Sequence, residues 1–358
     1  MPEYKFIDNK LNRHMKINIP NLVTYIILYA VALFSYIFVC GYVHLIILVF
    51  MTIAPFVSIV MEKALLSKLA FKLVVSDKYI HKDGCIHMGL LLDNKSFFSS
   101  LDVKVNIDVE NIFYKTKAPI SVAMPANIRQ VNKVVVPFVA SLNGIVSIKV
   151  NKIEVRDLIG IVSYVFDVDM TKEVEVYPSN IHSDDIDKTG LYEGVSENEE
   201  TNTKGSDLSD VSNIREYVPG DRIKDIHWKL SAKKDILLVK ERVRISERQL
   251  IMLLDVCGIK EDIDMVLEYA YNIVRACLKD GIPTKLVWWN KEASELDDMQ
   301  VNSYEDLKEA YGLIYRVGVN KDMDDAFEYM KMTYNKVSSF INIKVVDGTV
   351  KGVPVDNV

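Results

Sequence analysis

The chain has 358 residues, of which 49% are hydrophobic and 26% are charged. These fractions are typical of globular proteins and exclude a chain that is disordered or fibrous along its whole length. The net charge of −6 at pH 7 argues against a protein that binds nucleic acid over its whole surface. Four widely spaced cysteines exclude a disulfide scaffold, and their spacing does not indicate a zinc site.

An uncharged segment, residues 22–60, lies near the N-terminus. At about 1.5 Å of rise per residue it is long enough to cross a bilayer of about 30 Å roughly twice. We predict two transmembrane helices, 22–40 and 42–60, joined at Gly41 and preceded by a short segment, 1–21. A cleaved signal peptide would have a shorter apolar region followed by a small-residue cleavage site.

Basic residues lie on both sides of this hairpin and none lies in its turn. They are Lys5, Lys10, Arg13 and Lys16 before it, and Lys63, Lys68 and Lys72 after it. Because basic segments remain on the cytoplasmic side, we expect a multi-pass protein of the cell membrane with both termini in the cytoplasm.

The pattern changes to strands over residues 71–180. Short alternating runs rich in β-branched residues are separated by turn dipeptides such as Asp83-Gly84 and Asn143-Gly144. This pattern predicts an Ig-like β-sandwich. Residues 181–213 are acidic and polar with few apolar side chains, which is typical of a solvated linker.

Residues 214–358 read as an α/β domain. The run Leu250–Val256 predicts a buried strand, and apolar residues from Ile263 to Cys277 recur at helical spacing, ending near Gly281. Further strands and helices alternate up to a last strand starting at Phe340, which favours a largely parallel sheet covered on both faces.

The most distinctive segment runs from Arg215 to Glu241, and we call it the signature segment. We expect Asp221 to cap a short helix whose apolar face includes Ile226, with Asp225 and Lys229 paired on its outer side. Tryptophan usually buries most of its area, so we expect Trp228 to be a packed anchor.

The signature segment resembles that of the domain of unknown function 58, a bacterial family with a von Willebrand factor A-like domain. The family pattern is R-E-Y-x-P-G-D, then I-x-W-K-x-S-A-R, then L-x-V-K-E. The matching positions are Arg215, Glu216, Tyr217, Pro219, Gly220 and Asp221; Ile226, Trp228, Lys229, Ser231 and Ala232; and Leu237 or Leu238, Val239, Lys240 and Glu241. Lys233 departs from the family's usual arginine.

The resemblance extends towards the N-terminus. Residues 157–161 look like the family's Asp-Pro-Phe-Gly-Leu element, with Leu158 in place of proline. The resemblance implies two membrane helices, a sandwich and an A-like domain in that order. It also implies two partners, a MoxR-type AAA+ ATPase and a membrane transglutaminase-like protein.

The signature residues admit three roles. The first is structural, with Arg215, Glu216 and Asp221 forming internal salt bridges. The second is an anionic protein partner bound by the arginine and lysine side chains. The third is nucleic acid stacked on Trp228, which the acidic neighbours disfavour.

A-like domains often bind a divalent ion through Asp-x-Ser-x-Ser. Here Asp255 is followed by Cys257 and Ile259 at the serine positions. Isoleucine cannot ligate and cysteine suits magnesium poorly, so we predict a degenerate site, no bound metal and no cofactor. The sequence contains no phosphate loop, Gly-x-Ser-x-Gly or His-Glu-x-x-His motif.

The sequence therefore predicts a membrane-anchored, non-catalytic adaptor or scaffold that does not bind nucleic acid. Two alternatives stay open: a hydrolase-type enzyme with a site near Asp255 and His227, and a membrane-tethered nucleic-acid-binding protein.

Overall fold

The computed structural model describes residues 5–6, 13–39, 41–180, 195–196, 211–218, 226–234, 236–242, 249–320, 324–333, 339–346 and 348–356. The chain divides into two compact units. One comprises Met1–Asn180 with Tyr311–Gly318, and the other comprises Ile181–Ala310 with Val319–Val358.

Two apolar helices form a hairpin near the N-terminus. Helix α1 spans Ile19–Val39 and helix α2 spans Tyr42–Leu66, and both are long and apolar enough to cross a membrane. The Tyr29 and Thr52 hydroxyls hydrogen-bond at 3.2 Å between the two helices. Very few residues in the apolar stretches of these helices are buried, which is compatible with a lipid environment.

Among the residues that the structure describes, ten strands form two sheets in the first unit. They are β1 (Lys5–Phe6), β2 (Arg13–Ile17), β3 (Leu69–Val75), β4 (Tyr79–His81), β5 (Cys85–Asn94), β6 (Ser100–Asn111), β7 (Thr116–Ala126), β8 (Val131–Val139), β9 (Gly144–Arg156) and β10 (Val162–Tyr177). One sheet has the order β1-β3-β5-β8 and the other β2-β10-β9-β6-β7, with β4 beside β10. Alternate side chains of both sheets contribute to one shared apolar core, as the period-two pattern predicted.

Helix α2 continues six residues beyond its predicted end at 60. Its last residues, Leu65 and Leu66, are buried in the core of the two sheets, and Leu22, Tyr25 and Ile59 pack against that core. The helix therefore continues past the uncharged segment because its end is stabilised by the sheets as well as by its own apolar composition.

The second half of the chain begins with two short strands and the signature segment. The elements are β11 (Val195–Ser196), β12 (Val211–Glu216), α3 (Trp228–Lys234), β13 (Leu238–Arg242), β14 (Gln249–Leu254), α4 (Lys260–Asp280), β15 (Thr284–Asn290), β16 (Glu295–Val301), α5 (Tyr304–Val317), α6 (Asp324–Thr333), β17 (Ser339–Val346) and β18 (Thr349–Asp356). The predicted linker, 181–213, lies outside the described residues except for β11 and the first residues of β12.

The larger sheet has the order β16-β15-β14-β17-β18. Its central strand β14 is parallel to β15 and β17, whereas the outer strands β16 and β18 pair antiparallel. The sheet is thus mixed: its centre is parallel as predicted, and its two edge strands are not among the predicted elements. Helix α4 ends at Gly281, whose φ of 70° is left-handed, and this confirms the predicted stop.

Candidate functional site

The signature segment folds as a two-stranded sheet that carries a short helix. Strands β12 and β13 pair antiparallel, with Arg215 opposite Val239 and Glu216 opposite Leu238. The Tyr217 backbone N–H donates to the Leu237 carbonyl at 2.8 Å and extends this ladder. Helix α3 lies in the connection between the two strands.

Ile226 and His227 precede helix α3, so the predicted helical apolar face is wrong at Ile226. Ile226 is buried and forms a β-bridge with Val239. The Leu230 backbone N–H donates to the His227 Nδ1 atom at 3.2 Å, and His227 therefore acts as the helix cap. The predicted cap, Asp221, lies outside the described residues.

Ser231 is buried and joins helix α3 to strand β13. Its hydroxyl oxygen accepts a hydrogen bond from the Leu238 N–H at 2.8 Å and lies 3.4 Å from the Leu238 carbonyl oxygen. The small hydroxyl thus satisfies buried backbone groups of the strand. This position of the signature has a structural role.

Trp228 is 61% exposed, so the expectation of a packed anchor is wrong. Lys229, Ala232 and Lys233 are also exposed. Because residues four apart lie on the same side of a helix, Trp228 is beside Ala232 and Lys229 is beside Lys233. We call these four residues the signature face: an exposed tryptophan and two exposed lysines on the same short helix.

The remaining signature residues divide by what the structure describes. Glu216 is exposed and Tyr217 is half-buried. Arg215, Lys240 and Glu241 are strand residues whose backbone alone is described, and Pro219, Gly220, Asp221 and Asp225 lie outside the described residues. The predicted internal salt bridges of Arg215 and Asp221 and the predicted Asp225–Lys229 pair therefore stay predictions.

Asp255 follows strand β14 at the carboxyl edge of the larger sheet. Its backbone N–H donates to the Ile343 carbonyl at 3.1 Å. Burial raises the pKa of the Asp255 carboxyl, while the Cys257 backbone N–H and the charge of Lys344 act in the lowering direction. This edge is where ligands bind in many open α/β sheets, so Asp255 is the titratable group of interest there.

The other two positions of the predicted degenerate metal site have different environments. Cys257 forms a β-bridge with Asn320, and Ile259 is exposed at the start of helix α4. In the part of the chain that the structure describes, no three His, Cys, Asp or Glu side chains lie together as a metal would require.

A second polar constellation, which the sequence does not reveal, joins the hairpin to the sheets. The buried Asp157 carboxylate accepts hydrogen bonds from the Ser58 hydroxyl at 2.8 Å and from the Val162 N–H at 2.9 Å. The Asn21 amide donates to the Gly160 carbonyl at 2.8 Å. The loop 157–161 thus contacts both helices. Two sequence signals point to this joint: the polar Ser58 within an apolar run, and the 157–161 element that carries part of the family resemblance.

Residues 213–262 match a family described as "Protein of unknown function DUF58". A comparison with curated proteins gives no match. Among solved structures, the CARDB domain of the PF1109 protein from Pyrococcus furiosus is 11% identical, with a TM-score of 0.22 over 30% of this chain and 86% of that chain. A cohesin module from a Clostridium perfringens glycoside hydrolase is 10% identical, with a TM-score of 0.21 over 30% of this chain and 94% of that chain.

Proposed function

We propose that this chain, whose residues 213–262 match the DUF58 family, is a membrane-anchored, non-catalytic adaptor whose signature face binds a MoxR-type AAA+ ATPase. The observation that carries this proposal is the exposure of Trp228 on a helix that is otherwise anchored by buried contacts. In this proposal the hairpin holds the chain at the cell membrane and both termini are cytoplasmic.

The chemistry of the signature face supports a protein partner. Tryptophan is enriched among the interface residues that dominate binding energy. Lys229 and Lys233 are exposed on the same helix as Trp228 and would meet acidic side chains on the partner. Ser231 and Ile226 hold the helix against strand β13, so the face is presented by a fixed support.

We further propose that the two sheets of the first unit form an Ig-like sandwich and that the larger sheet belongs to a von Willebrand factor A-like domain. The parallel strands β14, β15 and β17 with helix α4 are compatible with such a domain. The client of the adaptor would be a membrane or envelope protein, with a membrane transglutaminase-like protein as the expected neighbour.

The proposal of a non-catalytic role rests on two features. The Nδ1 atom of His227 accepts the Leu230 N–H, which limits this residue as a general base. The usual nucleophile and phosphate-binding motifs do not occur in the sequence. Burial raises the pKa of Asp255, and hydrolase screening of wild type against Asp255→Ala tests whether this residue supports turnover.

The experiment that tests the adaptor is a crosslinking pull-down from membranes with tagged full-length protein, in cells that express a MoxR-type ATPase. We expect the ATPase to be recovered with the wild type and lost with Trp228→Ala. The matched control is Met332→Ala, which also removes an exposed apolar side chain, in helix α6. The ATPase should be recovered with this control as with the wild type.

Equal recovery with wild type and Trp228→Ala would assign the contact to another surface of the chain. Failure to recover the ATPase with the wild type would contradict the proposed coupling.

A further inference from the structure

Three loops meet at the end of the sheets where the hairpin joins them. The Lys95 N–H donates to the Lys68 carbonyl at 3.2 Å, directly after helix α2. The Asn94 side-chain amide donates to the Phe98 carbonyl at 2.7 Å and to the Asn127 carbonyl at 3.0 Å. Loops 95–99 and 127–130 therefore lie beside the end of the hairpin, as loop 157–161 does through Ser58 and Asn21. We call these three loops, with Leu101, the hairpin end.

The hairpin end exposes large apolar side chains. They are Phe97 at 61%, Leu101 at 72%, Ile128 at 50% and Leu158 at 56% exposure. A single exposed apolar residue is ordinary on a soluble surface, but four on the loops of one end require an explanation. Each of them lies outside the shared apolar core.

The lengths of the helices place this end close to the bilayer. Tyr25 to Val39 is 14 residue steps and Tyr42 to Ser58 is 16 steps, or about 21 and 24 Å along the helix axes. Tyr25 packs against the core of the sheets and Ser58 is buried against Asp157. The free part of the hairpin is thus shorter than the roughly 30 Å of hydrocarbon that it has to cross.

The charges at the hairpin end suit the headgroup region. Lys63, Lys68 and Arg129 are exposed there. Arg129 also lies over the Phe97 ring, 3.8 Å from its centroid, so a cation covers an aromatic ring. Asp102 is paired with Arg156 at 2.9 Å, which offsets its negative charge. Aromatic rings beside basic side chains are typical of the membrane–water interface.

We propose that the hairpin end is itself a membrane-interface surface, and that its occupant is the headgroup and upper acyl region of the bilayer that the hairpin crosses. Phe97, Leu101, Ile128 and Leu158 enter this region, and the basic residues contact lipid phosphates. The two sheets thereby lie directly on the membrane, where they compensate for the short free hairpin. This inference rests on the membrane anchoring in the proposed function.

The test uses full-length protein with single tryptophan substitutions, reconstituted in phosphatidylcholine nanodiscs that contain brominated lipid. Bromine quenches tryptophan fluorescence on contact, and the wild-type emission is subtracted to remove the native tryptophans. Phe97→Trp and Leu158→Trp report on the hairpin end. Val139→Trp is the matched control, because Val139 is 58% exposed at the opposite end of strand β8 from Val131.

We expect several-fold stronger quenching of Phe97→Trp and Leu158→Trp than of Val139→Trp. Lipid brominated near the headgroup should quench these two variants more than lipid brominated near the chain end does. The tryptophan emission of both variants should also be blue-shifted. Quenching no stronger than that of Val139→Trp would overturn the proposal.

Phe34→Trp, exposed in helix α1, separates this failure from failure of the anchor. Quenching of Phe34→Trp without quenching at the hairpin end would overturn only the surface. An unquenched Phe34→Trp would overturn the membrane anchor and the surface together. Circular dichroism of each variant verifies its fold, and Leu101→Trp provides a further position if one variant is misfolded.

Discussion

The signature segment divides into a buried support and an exposed face, so two substitutions in helix α3 should differ in their effect on stability. Ser231→Ala removes the acceptor of the buried Leu238 N–H, which the serine hydroxyl binds at 2.8 Å. Leaving a buried donor unpaired costs about 1–3 kcal/mol. Trp228→Ala removes an exposed side chain, and surface substitutions of this kind change stability by no more than about 0.5 kcal/mol.

The assay is hydrogen exchange by mass spectrometry of the purified full-length protein, followed in peptides that cover strand β13. Because 1.4 kcal/mol corresponds to a factor of ten in an equilibrium constant, Ser231→Ala should speed exchange there roughly 5- to 150-fold. Trp228→Ala should change it by no more than about twofold. Lys233→Ala, on the exposed side of the same helix, is the matched control and should leave exchange as in the wild type.

The reasoning is refuted if Ser231→Ala exchanges like the wild type, or if Trp228→Ala speeds exchange as much as Ser231→Ala does. The first result would mean that the Ser231 hydrogen bond contributes nothing to the support. The second would mean that Trp228 is part of that support.

Three further predictions concern the joint and the sheet edge. Asp157→Ala leaves the buried Ser58 hydroxyl without its acceptor, so we expect a loss of about 1–3 kcal/mol, seen as a lower thermal midpoint of the full-length protein. Gly160→Ala places a Cβ 2.8 Å from the Asn21 Nδ2 atom at a φ of 78°; we expect a cost of about 1–2 kcal/mol in the same assay, and an unchanged midpoint would contradict the geometry. Burial raises the pKa of Asp255, so the folded state binds this proton more tightly than the unfolded state does. The carboxylate therefore destabilises the fold increasingly as pH rises from the unfolded-state pKa to the higher folded-state pKa, and by a constant amount above it. Asp255→Asn should therefore raise the thermal midpoint at neutral pH relative to wild type. This gain should shrink as pH falls towards the unfolded-state pKa of the carboxyl. A gain in thermal midpoint that does not depend on pH would exclude ionisation of the Asp255 carboxyl as its cause.

The sequence predicts the two apolar helices well because an uncharged run of this length can adopt few other structures. It misses the end of helix α2 because Glu62 and Lys63 interrupt the apolar pattern there. Glu62 is buried in the structure, and the following Leu65 and Leu66 belong to the sheet core. The tertiary contact, which a local pattern does not contain, extends the helix.

In the signature segment, tertiary contacts shortened a predicted helix instead of extending one. Helical spacing of apolar residues placed Ile226 in a helix, but its bridge to Val239 draws it into the sheet. The general preference of tryptophan for burial failed at Trp228, since helix α3 begins with this residue on its outer side. Edge strand β16 was missed because its polar run Glu295–Val301 has no apolar period, and pairing with β15 decides its structure.

The central claim, that the signature face contacts a MoxR-type ATPase, is tested most directly by site-specific photocrosslinking in living cells. A photoreactive phenylalanine analogue replaces Trp228 in one variant and the exposed Met332 in another. The account predicts a covalent adduct with the ATPase from position 228 and none from position 332. Equal adducts from both positions, or an adduct from 332 alone, would contradict it.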